Sequence, residues 1–147
     1  MAPLIILVAG FCCFRALGWA GIAHFHSDQE SLKAALALMF FFTAYAHFGK
    51  MRGDLVKMVP AALRNPSLLV TLTGVLEFLG GAGLLLRLTS KPAAYALIAM
   101  LLAMFPANVY AARHSLTVGG RPATRIDLRL LIQIVFIAAL FATTFPI

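Results

Sequence analysis

Acidic residues are scarce in this chain: Asp28, Glu30, Asp54, Glu77 and Asp127 are the only five among 147 residues. Charged residues of both signs make up 12% of the sequence, about half of what a soluble domain carries. That scarcity excludes an ordinary soluble domain, whose surface needs those charges. Cysteine is nearly absent too, and the two present, Cys12 and Cys13, are adjacent. Neighbouring cysteines rarely bridge each other, and one such pair supplies neither a disulfide framework nor zinc-ligand spacing. Both are expected to be buried as small packing residues in the first apolar stretch. The sequence also lacks a phosphate-binding glycine loop, a nucleophile elbow and a zinc-protease motif, so no metal site is assigned.

Apolar residues fill the space, at 62% of the chain and a mean hydropathy of +0.94. Five segments, 3–25, 32–48, 67–86, 92–112 and 128–145, each approach the roughly 20 residues that a helix needs to cross about 30 Å of hydrocarbon. The first begins at the N-terminus like a signal peptide. It has no basic leader, it carries Arg15, and no small-residue cleavage site follows, so a permanent helix is expected. The fold class is all-α, a single polytopic membrane domain over 1–147 with short polar connections. The pair Gly119-Gly120 marks a turn in the last of these connections.

The net charge of +7 would suggest nucleic-acid binding in a soluble protein, but its distribution gives it another meaning. Loops two and four carry eight bases, Lys50, Arg52, Lys57, Arg64, Arg113, Arg121, Arg125 and Arg129, against three, Lys33, Arg87 and Lys91, in loops one and three. The positive-inside rule then places loops two and four in the cytoplasm, with the N-terminus inside and the C-terminus outside an inner membrane. No nucleic-acid partner is implied. Within loop two, Met51, Leu55, Met58 and Val59 recur at helical spacing while Lys50, Arg52 and Lys57 occupy other faces. An amphipathic segment over 50–60 is expected on the cytoplasmic leaflet, drawn to anionic lipid headgroups.

Arg15 and Glu77 are the ionisable residues that the loops do not explain. A charge inside a bilayer costs about 2.5–3.5 kcal/mol on insertion scales, so each needs a partner or a purpose. One reading makes them a buried ion pair, Arg15 with Glu77, that neutralises both and sets helix register. The other makes Glu77 a proton-accepting or ligand-binding carboxylate. With helices alternating in direction, His47, Asn108 and Gln133 fall at comparable depth toward the inner side, so a pocket lined by Glu77, His47, Asn108 and Gln133 is one arrangement. Interhelical hydrogen bonding by Asn108 and Gln133 is the simpler alternative. None of the histidines pairs at the mid-helix positions that haem ligation needs.

The runs Ala46-His47-Phe48, Met58-Val59-Pro60, Thr73-Gly74-Val75-Leu76-Glu77, Phe105-Pro106-Ala107-Asn108 and Leu128-Arg129-Leu130 with Gln133 together resemble the DoxX and DoxX-like membrane proteins. The resemblance runs from the second span to the C-terminus and implies a four-helix core preceded by an N-terminal transmembrane helix. Leu131, where that family usually has proline, and Arg64-Asn65-Pro66, where a Leu-Pro-x-Pro-like turn is common, depart from its pattern. The family is functionally mixed, with subunits associated with thiosulfate:quinone oxidation, members tied to thiol stress, and relatives that assemble other membrane proteins. The resemblance implies a membrane anchor or quinone-facing subunit beside a redox partner, with quinone as the one cofactor suggested and no redox centre in the chain itself. A non-catalytic scaffold or assembly factor, and a small proton-coupled transporter that would need to act as a homo-oligomer, are the alternatives.

Overall fold

The computed structural model describes residues 2–122 and 124–145. The Arg121 side chain and the extreme C-terminus, both used above to assign orientation, lie outside the described residues. Among those residues the chain forms α1 (Ala2–Trp19), a 3₁₀ turn (Ala23–Phe25), α2 (Asp28–Phe48), α3 (Arg52–Met58), α4 (Pro66–Leu85), α5 (Ser90–Arg113), a hairpin of β1 (Thr117–Val118) and β2 (Arg121–Pro122), and α6 (Ile126–Ala142). The fold is all-helical apart from that two-residue ladder. Four helices, α1, α2, α4 and α5, are long and apolar enough to cross a membrane. α6 is as apolar but has 17 residues.

Local chemistry sets the helix ends. Ser27 caps α2, its Oγ accepting from the Glu30 N–H at 3.1 Å, and Glu30 stands three residues on, the spacing of a capping box. At the other end of the bundle, Pro66 starts α4 where its missing N–H costs nothing. Gly119 and Gly120, at φ 61° and 73°, make the two-residue turn that joins β1 to β2.

The first apolar segment contains one helix and a reversal, which corrects the single span expected over 3–25. α1 stops at Trp19, and the Phe25 carbonyl then folds back onto Gly18 so closely that a Cβ there would lie 2.1 Å from its oxygen. Gly21 takes φ +103° in between, a conformation that side-chain-bearing residues rarely adopt. Cys12 and Cys13 are exposed on α1 and not buried as expected. Consecutive helical residues point about 100° apart, so a helix with one packed stripe cannot bury both.

α2 is the hub. It packs against α1, α4 and α6, while α4 meets α5 and α5 meets α6, so α2, α4, α5 and α6 close a ring with α1 laid against α2. Leu36, Met39 and Phe40 of α2 meet Leu84, Leu97, Phe136 and Leu140 from the other three helices, with Leu7 entering from α1. With no hydrophobic drive between helices in lipid, close packing must supply the attraction, and small residues permit it. Gly10 sits on Ala35, and Gly81 sits on the Ala37 carbonyl and the Phe41 ring. Large apolar side chains such as Ile5, Leu68, Leu79 and Leu131 are more than half exposed, an arrangement suited to a hydrocarbon solvent.

Candidate functional site: a buried carboxylate at the C-terminal end of α2

The last turns of α2 and the middle of α4 bring two titratable residues together. Gly74 has no side chain, so His47 lies directly on it; a Cβ at Gly74 would be 2.6 Å from the His47 Cβ. One turn further along α4, Glu77 reaches the same level. Both residues are 4% exposed, and Glu77 Oε2 stands 3.7 Å from His47 Nδ1.

The imidazole does not hydrogen-bond that carboxylate. Nδ1 lies 3.0 Å from the Thr43 carbonyl, one turn earlier on α2, so Nδ1 carries a proton and donates it to that oxygen. Glu77 Oε2 is left buried with no hydrogen-bond partner among the described residues. An orphaned buried polar atom costs about 1–3 kcal/mol, so this oxygen weighs against stability.

Below the pair, Arg52 closes the end of α2. Its guanidinium donates to the His47 carbonyl at 3.0 Å, the Ser67 carbonyl at 3.1 Å and the Thr71 hydroxyl at 2.8 Å. A cation at a helix C-terminus satisfies an orphan carbonyl and meets the negative end of the dipole. This corrects the expectation that Arg52 faces lipid headgroups together with Lys50 and Lys57. α3 is likewise not free on the leaflet: it packs on α2, α4, α5 and β1, Met58 is buried, and Asp54 accepts from the Gly119 N–H at 2.9 Å. Lys57 is 3.9 Å from Asp54 and remains largely exposed, as does Lys50.

The expected Arg15–Glu77 ion pair is not formed. With α1 ending at Trp19, Arg15 falls in the helix's last turns and not at mid-span. Its Nε pairs with Asp28 at 2.5 Å, and its Nη1 donates to the carbonyls of Phe25 and His26 at 3.1 and 2.9 Å. It ties the reversal after α1 to the start of α2, where Gln29 also holds the Thr143 carbonyl at the end of α6.

Asn108 and Gln133 have partners of their own, so the four-residue pocket reduces to the His47–Glu77 pair. Asn108 Oδ1 accepts from Arg129 Nη1 at 2.8 Å, joining α5 to α6. Gln133 Nε2 donates to the Leu101 carbonyl at 3.0 Å. Pro106 leaves the Leu102 carbonyl without its helical donor and disturbs the turn in which Leu101 lies, and Gln133 reaches into that turn. Arg129, read from sequence as one of the loop bases, is the cross-helix residue that charge counting concealed. Its position in the first turn of α6 was the available signal.

Between α2 and α4 runs an apolar groove of about 420 Å³, lined by neither His47 nor Glu77, whose walls include Phe41, Tyr45, Phe48, Val75 and Phe78. Among the described residues, no three His, Cys, Asp or Glu side chains converge as metal ligands. No curated protein and no solved structure matches the chain. A family match does exist, over residues 36–144, which runs from within α2 through α6 and leaves α1 and the start of α2 outside. The chain belongs to the family described as domain of unknown function DUF8561.

Proposed function

We propose that the chain is a five-span inner-membrane protein that holds the polar head of a lipid-soluble molecule, of the quinone class, at Glu77 and His47. The carrying observation is Glu77 Oε2, buried without a partner. A quinol hydroxyl supplies the donor that this oxygen lacks, and the apolar groove along α2 and α4 suits an isoprenoid tail. His47 and Glu77 can pass protons to and from such a head group, while a redox partner takes two electrons from the quinol or gives two to the quinone. The protein is then that partner's membrane anchor or quinone-facing subunit, a reading that the resemblance of its short runs to DoxX-like proteins supports.

α6 serves as the fifth span. Its 17 residues lie at the short end of the range of about 17–25 that crosses hydrocarbon. The bases of loops two and four support a cytoplasmic inner end. A periplasmic reporter should be active when fused after Ile147 and silent within 117–124; the reverse pattern overturns the orientation.

A scaffold or assembly role is the second reading. It is favoured by Arg15, Arg52, Arg129 and Gln133, all of which hold neighbouring elements together. Purification in mild detergent followed by solvent extraction separates the two. The first reading expects a quinone in stoichiometric amount with the wild type and little with Glu77→Gln. A membrane protein partner without quinone supports the second.

A further inference from the structure

A different cavity lies at the inner ends of α5 and α6, away from the His47–Glu77 pair. It has a volume of about 400 Å³ and is lined by Ala112, Arg113, Arg125, Ile126 and Asp127. Arg113 is the last residue of α5 and Arg125 immediately precedes α6, so two guanidinium groups flank the gap between neighbouring helices. Asp127 pairs with Arg125 at 3.0 Å, but their side chains are 63% and 85% exposed. A pair so well solvated holds weakly and can exchange for a stronger anion. One carboxylate also leaves a positive excess over two guanidiniums.

The surroundings select the kind of anion. Ile126, at the cavity's edge, begins a lipid-facing stripe that continues through Leu130 and Leu131, all more than two-fifths exposed. A ligand bound here meets guanidinium at its head and an apolar helix face along its length. Phosphate matches the planar donor fork of arginine, and basic pockets between membrane helices on the cytoplasmic side suit anionic headgroups.

We infer that Arg113 and Arg125 form a binding site for the phosphate of an anionic phospholipid, whose acyl chain lies along Ile126 and Leu130. The inference rests on α6 being a membrane span and is independent of the Glu77 site. It also relocates the headgroup contact that the sequence suggested for Arg52 to the other cytoplasmic loop, on the same side.

The test is lipid retention by the full chain in mild detergent, read by native mass spectrometry with added phosphatidylglycerol or phosphatidylcholine. The wild type should retain phosphatidylglycerol preferentially. Arg113→Gln and Arg125→Gln should each lower that retention about fivefold, while Arg87→Gln in the opposite loop leaves it unchanged. Asp127→Asn should raise it, a gain that a misfolded protein cannot produce, and the double Arg→Lys variant should keep part of it. Equal retention of both lipids, or an equal loss in Arg87→Gln, overturns the site. Complete displacement by millimolar inorganic phosphate overturns the lipid assignment in favour of a soluble phosphate.

Discussion

His47 and Glu77 face each other at 3.7 Å across the α2–α4 contact, and the imidazole spends its Nδ1 proton on the Thr43 carbonyl instead. Helix geometry explains the choice. A side chain in the last turn of a helix finds the carbonyl four residues back at hydrogen-bonding distance, whereas the carboxylate belongs to another helix. The bond fixes the ring and leaves Glu77 Oε2 without a donor among the described residues.

Removing the acid should therefore stabilise the protein. Glu77→Leu keeps the volume and deletes the orphan oxygen, so thermal unfolding in detergent should shift upward, by about 1–3 kcal/mol in stability. A loss of more than about 1 kcal/mol would show that the carboxylate holds the helices together.

Gly74 and Gly53 make a contrasting pair. Alanine at 74 places a Cβ 2.6 Å from that of His47, while nothing lies within 4 Å of the corresponding position at Gly53. Gly74→Ala should cost about 1–3 kcal/mol by forcing α2 and α4 apart. Gly53→Ala, inside α3, should gain up to about 1 kcal/mol. Chemical denaturation of both variants reads the difference.

The reversal after α1 should depend on Arg15 far more than on Asp28. Asp28 is 70% exposed, so Asp28→Asn should cost under about 1 kcal/mol. Arg15→Met also strips the donor from two carbonyls and should cost about 1–3 kcal/mol. Because Arg15 and Glu77 do not touch, Arg15→Met and Glu77→Leu should combine additively within about 0.5 kcal/mol. A large coupling energy in that double-mutant cycle would restore the direct pair.

Much of the architecture was legible in the hydropathy pattern. The second, third and fourth apolar segments fall within four residues of α2, α4 and α5 at either end, because polar turns bound them. The first segment misled for a physical reason. Gly18-Trp19-Ala20-Gly21-Ile22-Ala23 is equally apolar whether it continues a helix or reverses, and hydropathy does not register a positive φ. An uninterrupted helix would put Arg15 at the depth of Glu77, the basis of one of the two readings, whereas the reversal puts it beside Asp28. The amphipathic period in loop two was real as a helix. Its surroundings depend on a hairpin some 60 residues later, whose Gly119 N–H meets Asp54, and no local pattern encodes that contact. Glu77 stood out at once because a lone acid in an apolar span has few explanations.

The ties between α5 and α6 should be worth ordinary membrane hydrogen bonds. Gln133→Leu should cost about 0.6–1.7 kcal/mol. Asn108→Ala should cost more, about 1–3 kcal/mol, since it leaves the Arg129 guanidinium part-buried beside an empty place. Neither change touches the carboxylate, so quinol-analogue binding should survive both. Parallel melting and binding curves on the two variants check this separation.

The most direct test of the central claim is equilibrium binding of a quinol analogue to the purified protein in nanodiscs, wild type against Glu77→Gln. The account predicts saturable binding by the wild type and at least a tenfold weaker dissociation constant for the variant, with its thermal stability equal or higher. Equal affinity in the two proteins, or no saturable binding by either, would contradict it.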